Sequence, residues 1–262
     1  HQLGQHFAEA FDITFEDEDS ETQTCWTTSW GLSTRTIGAL IMAHGDDDGL
    51  RLPPSVAPHQ VVVVPIIFQE DNQEEVLDYA EEVAGDLEDE GLRVEFDHRQ
   101  HRTPGYKFNE WELKGVPLRV EIGPNEMEDD AVTTVRRDTG DKQMGLDREE
   151  FISQAEDTLE DIQASMYQEL EEYLHENIRK AESKNEILAT IGKSRGYVKA
   201  RWCGEEACEA EVKEEVAAEI VVLPFEEDSK PATIQASEKE IKGECAVCGE
   251  EAERWAYFAK NY

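Results

Sequence analysis

The chain has 262 residues, enough for about two domains, with 61 acidic against 25 basic residues and a formal net charge of −36. Its apolar residues fall in short clusters, which excludes a membrane-spanning helix of roughly 18 uncharged apolar residues, and without a basic-then-apolar pattern we expect no secretory leader. The chain opens on His1 in a segment typical of the middle of a folded element. We therefore expect a fragment of a cytoplasmic protein.

The acidic residues lie on every predicted helix instead of in one tail, as at Glu74, Glu75, Glu214 and Glu215. This distribution indicates adaptation to high salt, in which self-repulsion between charges is screened. The alternative is a protein whose acidic residues serve a specific function. Because nucleic-acid binding normally draws on Lys and Arg, charge alone would argue against an RNA partner, but a halophilic source makes that argument unreliable.

The first 58 residues are predicted to contain short elements and a connector that ends near Pro58. The predicted elements are a short amphipathic helix over 3–13, an acidic loop to residue 22, a strand over 24–30, a buried helix over 31–43 and a Gly-, Asp- and Pro-rich connector over 44–58.

Residues 59–146 are predicted to form an α/β domain with a mixed sheet. The β-branched run over 61–67 is typical of a fully buried parallel strand. The other predicted elements are a helix over 72–90, a strand over 92–96, a helix over 106–113, a strand over 117–122 and a strand pair around 131–138. Strands that alternate with helices of this length indicate βαβ units.

The last part of the chain is predicted to hold a linking helix and a small tail domain. Apolar residues recur every three or four positions from Phe151 to Tyr173, which predicts one long amphipathic helix over 147–183 within a linking segment 147–185. Residues 186–262 are predicted to form a smaller α+β unit. The terminal aromatic run from Trp255 indicates a strand packed on this unit.

Gly31 and Arg35 are the first candidates for chemistry. The predicted strand leads to a glycine, and an arginine follows at the start of the predicted helix. An arginine suits a nucleotide because its planar guanidinium can stack on a base and bond phosphate oxygens in two directions. A core arginine paired with a carboxylate is the alternative.

The longer string over 30–39, with His44-Gly45-Asp46-Asp47 and residues 52–58, resembles motif 3 of class II aminoacyl-tRNA synthetases. Its form is that of prolyl-tRNA synthetases of the archaeal and eukaryotic type. The resemblance implies the end of an antiparallel-sheet catalytic domain over 1–58. It also implies ATP with Mg²⁺ as cofactors and a set of ligand contacts: Arg35 and Thr28 with ATP, and His1, Gly31 and Ser33 with proline.

One residue departs from the family pattern, and two motifs would lie upstream. Thr27 stands where relatives usually have a glutamine that contacts ATP. Motifs 1 and 2 would supply the homodimer interface and another ATP-binding arginine, so we expect this fragment to be inactive alone.

The second candidate site combines scarce basic residues with aromatics. Phe108 and Trp111 accompany four basic residues, Arg119, Arg136, Arg137 and Lys142. Stacking surfaces with hydrogen-bond donors suit unpaired bases in an RNA loop. A core aromatic pair with surface salt bridges is the alternative. The string over 104–142 resembles the anticodon-binding domain of the prolyl, threonyl, histidyl and glycyl synthetases. That resemblance implies four contacts with the anticodon loop of tRNA(Pro): Glu112, Arg119, Arg137 and Lys142.

Two cysteine pairs in the tail form the third candidate site. Cys203 and Cys208, with Cys245 and Cys248, offer four thiolates, enough for a closed tetrahedral zinc site that has no position for substrate. Two disulfides are the alternative, disfavoured in the cytoplasm. We interpret Cys25 as a small buried residue. Prolyl synthetases of this type also end in such a domain and in a tyrosine, and we hypothesise that Tyr262 docks against the catalytic domain.

The resemblance covers essentially the whole chain and implies ATP-dependent attachment of proline to tRNA(Pro) through prolyl-adenylate. A catalytically inactive tRNA-binding paralogue is one alternative. A related synthetase for threonine or glycine is another, which the cysteine-bearing tail disfavours.

Overall fold

A computed structural model describes residues 2–67, 73–194, 196–224 and 241–260. The chain divides into two compact units, a first of His1–Leu52 with Val56–Arg148 and a second of Pro53–Ser55 with Glu149–Tyr262. The domain boundaries expected at 58, 146 and 185 stay predictions. The proposed roles of His1 and Tyr262 lie outside the described residues. No helix in the described ranges is long and apolar enough to cross a membrane.

The first unit begins with short elements that make three two-stranded sheets, β1 with β4, β2 with β3 and β5 with β6. Their bounds are β1 Gln2–Gly4, α1 His6–Ala10, β2 Thr14–Glu16, β3 Thr22–Thr24, β4 Thr27–Thr28, α2 Arg35–His44, β5 Gly45–Asp46 and β6 Gly49–Leu50. The predicted single strand over 24–30 is therefore wrong, because β3 and β4 are separate and pair with different strands. The predicted loop and connector contain β2 and the β5–β6 hairpin.

Helix α2 forms where it was predicted, but the prediction that it is buried is wrong. It has no buried residue, and Ile37 and Met42 are 61% and 83% exposed. Its apolar periodicity predicts a face that packs against something, and the described part of the chain supplies nothing over that face. The apolar periodicity therefore predicted the helix correctly but predicted its burial incorrectly.

The rest of the first unit is an α/β domain with a mixed five-stranded sheet in the order β11-β10-β9-β7-β8. The bounds are β7 Val61–Pro65, α3 Gln73–Asp89, β8 Val94–Phe96, α4 Pro104–Lys114, β9 Leu118–Ile122, α5 Pro124–Glu128, β10 Ala131–Arg136 and β11 Lys142–Asp147. Strand β7 is parallel to β8 and β9, whereas β10 is antiparallel to β9 and β11. The predicted mixed sheet is confirmed. Of the strand pair expected around 131–138, β10 lies there, and its antiparallel partner β11 lies further on.

Every residue of β7 is buried, as expected for a central strand covered on both faces. Val62 and Val64 pack on α4 through Trp111 on one face. Helix α3 packs against β7 and β8 and buries Val83 and Leu87. Successive side chains of a strand point to opposite faces of the sheet, so β7 can pack against both α3 and α4.

Helix α4 has clear start and stop signals. The Thr103 side chain accepts a hydrogen bond from the Tyr106 backbone N–H, and Pro104 takes the first helical position, where its missing N–H costs nothing. The helix ends at Lys114, and Gly115, whose φ of 74° suits glycine, caps it. The cap at Gly115 fixes the C-terminal end of α4, and the β5–β6 hairpin lies against that end.

The second unit contains a long helix and a four-stranded sheet in the order β12-β13-β15-β14. The bounds are α6 Arg148–Glu176, β12 Ile178–Ala181, α7 Lys184–Lys193, β13 Tyr197–Trp202, α8 Glu206–Val216, β14 Ala218–Val222 and β15 Arg254–Lys260. The predicted extension of the long helix to Ser183 is wrong, because the chain enters a strand that pairs in parallel with β13. The predicted aromatic strand is confirmed over β15, and Phe258 is fully buried in the core.

Candidate functional sites

The four tail cysteines meet in one cluster, which we call the thiol cluster. The sulfur atoms of Cys203, Cys208, Cys245 and Cys248 lie within 4.8 Å of one another, and none is in a disulfide. The Cys203 Sγ is 3.6 Å from that of Cys208 and 3.7 Å from that of Cys248. Sulfurs bound tetrahedrally to zinc at about 2.3 Å lie about 3.8 Å apart. The cluster therefore has the size of a zinc site.

Three separate elements build the thiol cluster. Cys203 directly follows β13, Cys208 lies in the first turn of α8, and the other two cysteines lie in a turn before β15. In that turn the Cys245 N–H donates to the Glu250 carbonyl at 2.7 Å, and the Gly249 N–H donates back to the Cys245 carbonyl. The sulfurs thus converge through strand, helix and turn geometry without a covalent bond.

The environment of each thiol changes its pKa. Burial raises the pKa of Cys203 and of Cys208. Burial also acts to raise the pKa of Cys245, but the backbone N–H groups of Cys248 and Val247 outweigh it and lower that pKa to about 7. Neutral buried thiols and one easily ionised thiol in contact suit a cation, because a metal stabilises the thiolates that burial disfavours.

The described residues of the predicted ATP and proline sites, Thr28, Gly31, Ser33 and Arg35, lie along one exposed stretch. Thr28 is in β4, Gly31 and Ser33 are in the following loop, and Arg35 is the first residue of α2. A side chain placed on Gly31 would meet no atom within 4 Å in the described part of the chain. Cys25, interpreted as buried, is half-buried. The predicted contacts stay predictions.

Two of the predicted anticodon residues share one carboxylate. Arg119 Nε donates to Glu121 Oε1 at 3.0 Å, and Lys142 Nζ donates to Glu121 Oε2 at 2.7 Å. The guanidinium of Arg119 also lies over the Phe108 ring at 4.4 Å. The Glu121 side chain is 3% exposed and that of Lys142 is 47% exposed. We call Arg119, Glu121 and Lys142 the Glu121 cluster.

Glu121 was not predicted as a site residue, although its spacing from Arg119 indicates that the two side chains lie together. It lies two residues after Arg119 in β9, so both side chains lie on the same face of the sheet. Beside it is a cleft of about 470 Å³ at the carboxyl ends of the parallel strands, where α/β sheets commonly bind ligands. The lining includes Glu121, Lys142, Thr133 and Met144.

Trp111, predicted as a surface for stacking bases, lies in the core, and that prediction is wrong. It is 6% exposed, and its Nε1 donates to the buried Asp97 carboxylate at 2.8 Å. Asp97 also accepts from Arg99 and pairs with Lys107, whose side chain is 3% exposed. We call these four residues the Asp97 network. The alternative interpretation of a core aromatic with salt bridges holds for Trp111.

Arg137 and Glu112 lie beside the β5–β6 hairpin. The Arg137 guanidinium donates to both oxygens of Asp46, at 2.6 and 2.8 Å, and its Nε donates to the Glu112 carbonyl at 3.1 Å. The Arg137 side chain is only 9% exposed. The anticodon contact predicted for Arg137 is untested, and most of its bonding capacity is engaged inside the first unit.

Comparison with known proteins gives consistent matches. The family model "Anticodon binding domain" matches residues 60–158, and the model "Prolyl-tRNA synthetase, C-terminal" matches residues 184–262. The chain is 55% identical over its whole length to a proline--tRNA ligase of Halorubrum lacusprofundi and 54% identical to that of Natronomonas pharaonis. The chain belongs to the prolyl-tRNA synthetase family. It covers 52% of each of these two relatives, so it spans about half the length of the curated relatives it matches.

A solved member of the family has the same fold. The crystal structure of prolyl-tRNA synthetase from Cryptosporidium parvum, complexed with L-proline and AMP, superposes with a TM-score of 0.83 at 34% identity. The match covers 100% of this chain and 54% of that one. The Glu121 cluster lies within the part matched by the anticodon-binding model, and the thiol cluster lies within the part matched by the C-terminal model.

Proposed function

We propose that this chain is part of a proline--tRNA ligase, which activates proline with ATP and transfers it to tRNA(Pro). The observation that carries the proposal is similarity over the entire chain, at 55% identity, to a protein of that name. The match to an anticodon-binding model supports RNA recognition by the first unit. The thiol cluster supports a zinc-stabilised tail in the second unit.

Arg35 is the proposed nucleotide contact of this chain. It begins α2 next to the glycine-containing loop, with its side chain exposed and therefore accessible to a phosphate. ATP with Mg²⁺ supplies the activated phosphate, and an arginine there stabilises charge as pyrophosphate leaves. Thr28 would contact ATP, and Gly31, Ser33 and His1 would lie beside proline. The fold over 1–58 is then the end of a class II catalytic domain.

In the full-length protein, Arg35→Ala is expected to lower proline-dependent pyrophosphate exchange at least about tenfold and to raise the ATP requirement. A tenfold loss corresponds to about 1.4 kcal/mol of transition-state binding. Arg254→Ala, which removes an exposed arginine in the second unit, serves as the matched control and should leave exchange unchanged. Exchange that is unaffected by Arg35→Ala would refute the assignment of motif 3.

A tRNA-binding paralogue without activation activity is the second candidate, since residues 28–35 lie on an exposed surface in the described chain. The wild-type protein distinguishes the two. Exchange with proline, but not with threonine or glycine, supports the ligase. Anticodon-dependent tRNA binding without exchange supports the paralogue.

The proposed anticodon contacts are Glu112, Arg119 and Lys142. The Glu121 cluster presents one accessible ammonium and one guanidinium stacked on an aromatic ring, held by a buried carboxylate. Groups fixed in this way can bond base edges without losing much side-chain freedom on binding. The adjoining cleft has the volume typical of ligand pockets.

Lys142→Ala is expected to weaken binding of tRNA(Pro) about tenfold, close to 1.4 kcal/mol, in measurements on this chain. The control is Lys193→Ala in α7, an exposed lysine of the other unit. Because the net charge of −36 repels RNA and the screening length shortens from about 10 Å to about 3 Å between 0.1 and 1 M salt, wild-type binding should persist or strengthen as KCl rises. A steep loss of affinity with salt, or indifference to the anticodon bases, would contradict the proposal.

The partners and location follow from the ligase proposal. We propose tRNA(Pro), proline and ATP with Mg²⁺ as ligands, a homodimer of the intact protein, and the cytoplasm, where tRNA is charged for translation. The excess of acidic residues and the similarity to the Halorubrum and Natronomonas proteins support a halophilic source.

A further inference from the structure

The β5–β6 hairpin joins the proposed nucleotide-binding helix to the anticodon-binding domain. Helix α2 ends at His44, and β5 begins at Gly45 with no residue between them. Arg35 is at the other end of α2, as the first of its ten residues. Any shift of the hairpin is therefore transmitted directly to the helix that carries Arg35.

The hairpin fits against the end of α4 with no side chain between the two backbones. A Cβ on Gly49, where φ is 137°, would lie 2.5 Å from the Leu113 Cα. Reciprocally, a Cβ on Gly115, where φ is 74°, would lie 2.6 Å from Leu50. The Leu52 N–H donates to the Gly115 carbonyl at 3.1 Å. Glycine at both positions permits an approach that any other residue would prevent.

One carboxylate fixes both the hairpin turn and its place on the domain. Asp46 Oδ1 accepts the backbone N–H groups of Asp48 and Gly49 at 3.0 and 3.1 Å, which shapes the turn. Both Asp46 oxygens accept from Arg137, a bidentate geometry that is among the stronger side-chain pairs. The bond from Arg137 lowers the pKa of Asp46 to about 2, so the pair stays charged at neutral pH.

Arg137 is poorly placed to contact RNA in this arrangement. Its Nε donates to the Glu112 carbonyl, so three of its five N–H bonds are already used within the first unit. Its side chain is almost fully covered, in contrast to Lys142.

We propose that Arg137 is a positioning residue that, through Asp46, holds α2 and Arg35 in a fixed position relative to the anticodon-binding surface. This inference rests on the proposed ligase function. At about 1.5 Å per residue α2 is about 15 Å long, so a rotation of about 10° at the hairpin would move Arg35 by about 3 Å relative to the RNA surface. Misplacement by about 1 Å can cost about 100-fold in rate, so a loosened pair is enough to uncouple the two sites.

The test separates catalytic rate from tRNA affinity in the full-length protein. Arg137→Lys, which keeps the charge but loses the bidentate geometry, and Asp46→Asn should each lower kcat for tRNA charging about tenfold. The Kd for tRNA and the rate of proline-dependent pyrophosphate exchange should change less than twofold. Asp48→Asn, which removes the same charge from the same turn, is the matched control and should behave as wild type.

A double-mutant cycle and hydrogen exchange complete the experiment. Asp46→Asn combined with Arg137→Lys should lower kcat little further than either single substitution, because both act on one pair. The amides of Asp48 and Gly49 should exchange faster in Asp46→Asn. A tenfold weaker tRNA Kd with unchanged kcat would make Arg137 an RNA contact and overturn the inference. Unchanged kcat and Kd would overturn it as well. A wild-type protein without proline-dependent exchange would instead overturn the ligase proposal, and this inference with it.

Discussion

Replacing Cys245 with serine is expected to remove the bound metal and to abolish cooperative unfolding of the second unit. Structural zinc contributes on the order of 10 kcal/mol to small domains, comparable to the whole stability of a typical domain of about 5 to 15 kcal/mol. The thiol cluster lies in the core beside Val212 and Phe258, so its loss also exposes apolar surface. Elemental analysis should find one zinc per wild-type chain and much less in the variant.

Cys25→Ser is the control for this experiment. Cys25 is the one cysteine of the five that lies outside the thiol cluster, in the first unit. The control should keep both the metal and the thermal transition of wild type. A wild-type protein with four titratable thiols in the second unit, no metal and an unchanged transition after Cys245→Ser would contradict the zinc assignment.

Asp97→Ala is expected to destabilise the first unit by about 3–5 kcal/mol, the usual cost of removing one partner from a buried ion pair. It would leave the Lys107 ammonium, 3% exposed, without the Asp97 carboxylate and would deprive Trp111 Nε1 of its acceptor. Denaturant unfolding at high salt measures the loss. Asp78→Ala, on the exposed face of α3, should change stability by less than about 0.5 kcal/mol.

The same carboxylate predicts a pH dependence. Burial acts to raise the pKa of Asp97, but hydrogen bonds from Arg99 and Trp111 and the charge of Lys107 outweigh it and hold the pKa well below its ordinary value of 3.8. A lowered folded-state pKa stabilises the protein above the unfolded-state value, and that stability is lost as the pH falls below it. Asp97→Asn should therefore flatten the loss of stability below about pH 4. An equally steep acid transition in that variant would show that other groups dominate.

The sequence predicted the α/β domain well because its local signals agree with one another. The buried run at Val61–Pro65, the capped helix at Pro104–Lys114 and the amphipathic helix at Gln73–Asp89 each carry the periodicity that their surroundings require. The thiol cluster was predictable for a similar reason, since two closely spaced cysteine pairs are the usual sequence pattern of a zinc site.

Periodicity could not predict what covers a face or which partner a charge takes. Helix α2 has an apolar pattern but no buried residue, and Trp111 looked like a stacking surface although Asp97, fourteen positions earlier, holds it in the core. Arg137 and Asp46 are far apart in sequence and meet only because a hairpin lies on the end of α4. Such pairings depend on tertiary geometry, which a pattern of residue types does not encode.

The position of β15 in its sheet constrains the order in which the chain can fold during synthesis. Strand β15 lies between β13 and β14, so Val198 and Ile220 both pair with Phe258, a residue made long after either of them. The sheet of the first unit, by contrast, is complete once Asp147 has been made. Long-range pairing of this kind is slow and exposes strand edges. The α/β domain that contains β7 to β11 is therefore free to fold on the ribosome, whereas β13 and β14 remain unjoined until nearly the whole second unit has emerged.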